Sequence, residues 1–481
     1  MNLLLEQHYG MVGKNRMKLS DYVAKKVAEN NINHVFMVTG GGAMHLNHSF
    51  GSNKNIECIF NHHEQGCAIG ADAYYRLTNK LSVVNVTSGP GGTNAITGVY
   101  GAWTDSIGML VISGQVKWET TVRSTGLPLR QYGDQELDIE ELVKPITKYC
   151  HMVTDPLTIR YHLEKAIYLA KSGRPGPVWL DIPLNVQASK INPESLKGFD
   201  PAELSEPWSK TDLNEYSKNI HKKIKDSKRP VILVGAGIRL SGKHKSFINL
   251  INKLKVPVVT AWNAHDVVWN DHQYYCGRPG TIGDRGGNFT VQNSDLLLIL
   301  GSRLNIRQVS YNWDSFAREA YKIWVDIDSL EMSKPTVKAD MPILADLAEF
   351  LPVLENELYE ENLEHASWLK WCKERNAKYP IVLPEYWENE KINPYCFIES
   401  LFEELEEGQN IITGNGSACV VGFQAANLKP EQRLWTNSGC ATMGYDIPAS
   451  IGACLASGKK STICIAGDGS IMMNLQELQT I

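Results

Sequence analysis

The sequence predicts an α/β chain of three doubly wound, parallel-sheet domains. β-rich runs alternate with helical patterns along almost the whole chain, the signature of strand–helix–strand units. Two strand–turn–helix units with glycine-rich turns stand at opposite ends: Leu81–Val86 leading into Thr87–Gly92, and Ser461–Ala466 leading into Gly467–Ser470. A length of 481 residues, 43% hydrophobic and 21% charged, is ordinary globular composition for about three domains.

In chain order, residues 1–16 read as an extension. The first domain runs over 17–186, with helices at Leu19–Glu29 and Ile159–Lys171. Its strands are His34–Val38, Ile56–Phe60, Leu81–Val86, Met109–Ser113 and Val178–Ile182, with a helix from about Thr93. Asn185–Asn214, rich in Pro, Ser, Glu and Lys, reads as a linker. The second domain, 215–354, opens on the strand Pro230–Val234, and a charged, Trp-bearing connector covers Glu355–Asn393. The third, 394–481, starts with a helix near Pro394, then the strand Asn410–Thr413 and the loop Gly414–Ser417. A helix is expected over Met472–Leu478.

Composition excludes several classes. A net charge of -5 leaves no basic footprint for nucleic acid. No apolar run reaches membrane-spanning length, and Leu3–Leu5 before Glu6 is too short for a signal-peptide core. The ten cysteines show no Cys-x-x-Cys and no regular framework, so they read as reduced thiols of a cytoplasmic protein.

Several local patterns carry chemistry. Asp468 sits between two glycines at the carboxyl end of a strand, where the backbone approaches a phosphate and the carboxylate supplies an oxygen to magnesium. The same turn also occurs simply as a turn with a solvated Asp. Asn61-x-x-Glu64 has capping-box spacing, with Glu64 at N3. His62 and His63 are adjacent and point to different sides of a helix start, against a shared metal. Gly235-Ala-Gly237 follows a strand, but Leu240 replaces the third glycine of a dinucleotide fingerprint. Pro90 and Asn94 read as a Pro-Gly turn with an Asn near a helix start, and a lone Met443 reads as core.

Jointly, Phe36–Ala43, His63–Gly66 with Ala71–Arg76, Thr87–Asn94, Ser113–Val116, Ser438–Tyr445 with Pro448–Ala453, and Gly467–Ser470 resemble the thiamine-diphosphate-dependent 2-oxo acid enzymes. The likeness is greatest to the catalytic subunit of acetolactate synthase and related carboligases, and it covers nearly the whole chain from Met17.

The resemblance implies pyrimidine-binding, central and diphosphate-binding domains, the last truncated because the family's second magnesium ligand would lie beyond Ile481. It makes Glu64 the acid that hydrogen-bonds the cofactor's aminopyrimidine, tuned by burial, while the cofactor serves as electron sink. Thiamine diphosphate contacts are implied for Gly41, Pro90, Asn94, Asn415, Gly416, Ser417, Gly467, Asp468, Gly469 and Ser470, with Asp468 on the metal. Met443 would wedge between the cofactor's rings, and Gln135 would face the substrate. FAD, in a structural role, is implied for Gly235, Gly237, Arg303, Asn305, Arg307 and Asp326, the arginines as charge-assisted donors to pyrophosphate. The expected reaction decarboxylates a 2-oxo acid, pyruvate first, and passes the two-carbon unit to a carbonyl acceptor in a homodimer or homotetramer. Thr39 where acetolactate synthases carry Pro, and Asp134 where they carry Phe, turn the expected acceptor toward a keto-sugar nucleotide. A simple 2-oxo acid decarboxylase and a catalytically inactive relative are the alternatives.

Overall fold

Three parallel sheets form in the computed structural model, which describes residues 16–204, 212–357 and 365–481. The first comprises β1 (His34–Met37), β2 (Glu57–Phe60), β3 (Val83–Val86), β4 (Met109–Gln115), β5 (Tyr149–Met152) and β6 (Pro177–Pro183). Their order is β2-β1-β3-β4-β6-β5, every neighbouring pair parallel. All of β3, β4 and β6 is buried, as strands covered by helices on both faces require. Helix α1 (Glu64–Thr78) follows β2, and α2 (Pro90–Asp105) follows β3.

The second sheet orders β7 (Pro230–Val234), β8 (Val258–Thr260), β9 (Leu296–Leu300), β10 (Tyr321–Asp326) and β11 (Met341–Leu344) as β8-β7-β9-β10-β11. Its strands alternate between two cores. Ile232, Val234, Leu296 and Leu298 enter one, while Val231, Leu233, Leu297 and Ile299 enter the other. The third sheet orders β12 (Asn410–Thr413), β13 (Arg433–Trp435) and β14 (Thr462–Ile465) as β13-β12-β14, again parallel. Helix α3 (Ser417–Ala425) follows β12, α4 (Asp446–Ala456) precedes β14, and α5 (Asp468–Met473) follows it.

The chain divides into two compact units. One holds the chain up to Ser205 with Ile447–Lys460 and Met472–Ile481; the other holds Glu206–Asp446 and Ser461–Ile471. Among the described residues no helix is long and apolar enough to cross a membrane.

Four local expectations change. The helix expected from about Thr93 begins at Pro90, where the ring fixes φ and the missing N–H costs no hydrogen bond. The helix expected over Met472–Leu478 is split: α5 ends at Met473 and a 3-10 turn spans Leu475–Leu478, because Asn474 leaves helical geometry at φ -136°. The expected linker after Asn185 instead carries a helix at Leu184–Ala188, a strand Lys190–Ile191 paired with Met17–Lys18, and two 3-10 turns. Its polar residues serve as caps: Asn192 and Asp200 each accept an N–H two residues on, just before Pro193 and Pro201 begin their turns. The connector after Glu355 contains helix Ala366–Lys378, whose Trp368 and Cys372 are buried in the second sheet's core. The expected extension lies almost wholly outside the described residues, as do 205–211 of the linker and 358–364 of the connector.

A buried polar network ties β4 to β6. Asp181 accepts from Ser113 Oγ at 2.6 Å and from Gln115 Nε2 at 3.0 Å, and Trp179 Nε1 donates to Ser113 Oγ at 2.8 Å. Gln115 Nε2 also donates to the Leu137 carbonyl at 2.8 Å, so the network reaches the loop that carries Gln135. Burial pushes the Asp181 carboxyl up to about 7, and its hydrogen bonds pull it only part of the way back.

Two measurements follow from these contacts. The folded chain holds the Asp181 proton more tightly than the unfolded chain, so the stability it contributes is complete below about pH 4 and lost as pH rises through about 7. Asp181→Asn should therefore flatten the fall in melting temperature across that window; an unchanged slope contradicts the assignment. On α4, a Cβ at Gly452 would overlap the carbonyl of Gly70 on α1. Gly452→Ala should lower the chemical unfolding midpoint, at a cost of about 1–3 kcal/mol. An unmoved midpoint would mean that the two helices do not meet backbone to backbone.

Candidate active site

The carboxyl ends of β1, β2 and β3 share one edge of the first sheet, and the loops leaving them carry Gly41, Glu64 and the Pro90–Asn94 turn. Helix α1 starts at Glu64, with His63 as its N-cap; His63 Nδ1 accepts from Gln65 N at 3.1 Å. This overturns the capping box: Asn61 is not the cap and Glu64 is not at N3. Asn61 turns its amide to Glu477 instead, at 2.8 Å, and Glu64 is released from capping. Glu64 is 9% exposed, and its Oε2 accepts from Asn94 Nδ2 at 3.0 Å.

The turn before α2 is built around Gly89, which holds φ 58° as the cap of that helix. A Cβ there would lie 2.6 Å from the Gln135 carbonyl, so the Gln135 loop rests on this turn. A Cβ at Gly91 would lie 3.8 Å from Glu64 Oε1, which puts the second carboxylate oxygen beside the Pro90–Gly91 backbone. The Gly42 N–H donates to Thr87 Oγ1 at 3.0 Å, joining the Gly41 loop to the same turn. The structure thus brings Gly41, Glu64, Pro90, Asn94 and Gln135 together.

Gln135 is exposed and held at φ 60°, and Asp134 beside it is exposed. What fixes this loop is Glu136, which accepts from the N–H groups of Val122, Tyr132 (3.0 Å) and Gly133 (3.1 Å). Sequence reading passed over Glu136 because its donors are backbone groups, one of them fourteen residues away.

In the second unit, β12 and β14 are neighbours, and their ends present Gly414–Ser417 and Gly467–Ser470. Gly416 caps α3 at φ 78°, and a Cβ at either Gly416 or Gly467 would meet nothing within 4 Å. Asp468 is exposed, with Oδ1 accepting from Gly469 N at 2.8 Å. An exposed hard oxygen donor beside open glycine backbone fits a magnesium diphosphate. Among the described residues no three His, Cys, Asp or Glu side chains gather as a metal cage.

Two predicted contacts also have structural work. Ser470 Oγ donates to Asp446 and accepts from Gly444 N at 2.9 Å, and Asn415 Nδ2 donates to Asn437 Oδ1 at 2.9 Å and to the Thr442 carbonyl at 2.6 Å. Both brace the loop carrying Met443. Met443 is 44% exposed rather than core, and a Cβ at Gly469 would lie 3.1 Å from its Cε. Ser417 opens α3 beside Gly416.

At the second sheet, Gly235 and Gly237 follow β7, Arg303–Arg307 follow β9, and Asp326 ends β10. A Cβ on Gly235 would overlap the Gly301 carbonyl, and the Gly237 N–H donates to that carbonyl at 3.0 Å, so backbone packing alone requires the first glycine. Asn305 caps a short helix, Arg307 lies over the Trp262 ring at 5.2 Å, and the Arg303 carbonyl accepts from Lys334. Buried Asp326 accepts from Asp328 N at 3.0 Å.

Residues 17–142 match the thiamine pyrophosphate enzyme N-terminal TPP binding domain, 217–354 the central domain, and 414–481 the C-terminal TPP binding domain. The acetolactate synthase large subunit of Lactococcus lactis is 32% identical over 459 residues, 95% of this chain and 77% of that protein. That of Porphyra purpurea is 32% identical over 493 residues, covering 100% and 79%. The acetolactate synthase isozyme 3 large subunit of Escherichia coli is 31% identical over 474 residues, covering 96% and 79%. Three parallel-sheet domains in the family's order, with Glu64 beside Asn94 and Asp468 at an open strand end, therefore mark the chain as a member of the thiamine pyrophosphate enzyme family, an acetolactate synthase-like enzyme dependent on thiamine diphosphate.

Proposed function

We propose that the chain is a carboligase that decarboxylates pyruvate or a similar small 2-oxo acid and transfers the two-carbon unit to a carbonyl acceptor. The observation that carries this reading is the buried Glu64 carboxylate, withdrawn from its own helix cap and bonded to Asn94 at 3.0 Å. When bound, thiamine diphosphate supplies the electron sink for decarboxylation. Glu64 holds a proton at its carboxylate for the aminopyrimidine, and Asn94 keeps that carboxylate from rotating back toward the helix end. Burial makes the hydrogen bond stronger than it would be in water. Asp468 would give one oxygen to magnesium, the glycines of the two strand-end turns would admit the diphosphate, and Met443 would press on the cofactor's rings.

Gln135 and Asp134, exposed on their Glu136-held loop, are the residues proposed to meet the acceptor. With Asp134 and Thr39 polar, that acceptor is a polar carbonyl compound, a keto-sugar nucleotide or a second 2-oxo acid. FAD is proposed in a structural role along the edge carrying Gly235, Gly237, Arg303, Asn305, Arg307 and Asp326, because the arginines supply cations and carboligation moves no net electrons. We take the working form to be a cytoplasmic homodimer or homotetramer. The inactive alternative is disfavoured by the presence of both Glu64 and Asp468.

Glu64→Gln should cut pyruvate-dependent carbon dioxide release by about a hundredfold or more. The same incubations with candidate acceptors, read by product mass, should yield an adduct two carbons heavier than the acceptor. Undiminished release from the variant would remove Glu64 from the reaction, and carbon dioxide with acetaldehyde but no adduct would favour a simple decarboxylase.

A further inference from the structure

A carboxylate from the far end of the sequence closes the start of α1. Glu477 is 0% exposed. Its Oε1 accepts the backbone N–H groups of His62 and His63 at 2.9 and 3.0 Å, and its Oε2 accepts the Asn61 amide and the Thr480 hydroxyl, each at 2.8 Å. Asn474, 1% exposed, adds a second tie by donating to Gln65 Oε1 at 3.1 Å. The fit is close: a Cβ on Gly66 would lie 2.7 Å from Glu477 Oε1.

The first N–H groups of a helix need acceptors from outside its own ladder. In a capping box, a glutamate of the same helix swings back to take the cap residue's N–H. Here the cap is His63, and its N–H is already taken by Glu477. Glu64, at the first helical position, has no open donor behind it and turns to Asn94. Were Glu477 absent, the N–H groups of residues 62 and 63 would lose their carboxylate acceptor, and Glu64 is the neighbouring carboxylate drawn to the helix start.

We infer that Glu477 is a positioning residue for Glu64: it satisfies the donors at the start of α1 that would otherwise compete for the Glu64 carboxylate. This rests on the reading of Glu64 proposed above and extends it to a residue more than four hundred positions away.

The test uses the full chain with thiamine diphosphate and magnesium. Deuterium exchange at the cofactor's C2 position, read by NMR after acid quench, reports how well Glu64 acts. Amide exchange of the cofactor-free protein over residues 61–67 reports the clamp itself. Glu477→Ala should slow C2 exchange about 10–100-fold at saturating cofactor and speed amide exchange at residues 62 and 63. Glu477→Gln, which keeps an acceptor oxygen, should recover most of the C2 rate. Added to Glu64→Gln, the alanine change should alter C2 exchange by less than about twofold.

Wild-type C2 exchange in folded, loaded Glu477→Ala overturns the proposal. A full additional loss in the double variant overturns it as well, since Glu477 would then act independently of Glu64. If Glu477→Ala does not fold, Asn61→Ala tests the clamp from the donor side: slowed C2 exchange supports it and an unchanged rate overturns it. Wild-type exchange in Glu64→Gln alone would instead defeat the reading of Glu64, so the two failures are separable.

Discussion

The Asn94 amide meets the Glu64 carboxylate at 3.0 Å, and the chemistry proposed for this chain depends on that contact. The two residues leave strands that are not neighbours: β2 and β3 lie on either side of β1. A parallel sheet makes the meeting possible because every strand ends at the same edge. The intervening loop is drawn into the arrangement by the bond from Gly42 N to Thr87 Oγ1. Three strand ends are thereby tied into one surface before any ligand arrives, which lowers the ordering cost of binding.

The two units carry different kinds of site. At the first sheet, side chains are already committed: Glu64 to Asn94, and Glu136 to the backbone of the Gln135 loop. At the third sheet the open places are backbone, at Gly416 and Gly467, and the committed side chains lie around them, Ser470 on Asp446 and Asn415 on Thr442. A ring system is recognised by few directed groups, whereas a diphosphate is held by many N–H groups and a metal. On the reading proposed above, the distribution of glycine and carboxylate follows that division.

Much of this was legible because it is local. Leu19–Glu29 and Ile159–Lys171 are helices over the expected spans, and Asn410–Thr413 is a strand, since amphipathic spacing and β-branched runs are local properties. The wrong readings came where a local pattern had a distant competitor. Asn61-x-x-Glu64 has the spacing of a capping box, yet the Asn61 N–H is taken by the Met37 carbonyl and its side-chain amide by Glu477. Met443 looked like core, but the positive φ of Ala441 and Gly444 on either side brings it to the surface. Gly235 packs on the Gly301 carbonyl, a contact between strand ends that local spacing did not show. Trp368 looked like connector because its partners, the strands of the second sheet, are remote in sequence.

Isothermal titration calorimetry of thiamine diphosphate into the protein, with and without magnesium, tests the roles proposed for Glu64 and Asp468 most directly. The predicted result is binding that requires magnesium, is lost in Asp468→Ala, and persists with altered enthalpy in Glu64→Gln. Binding of equal strength without the metal and in Asp468→Ala, or no binding by the wild-type chain, would contradict it.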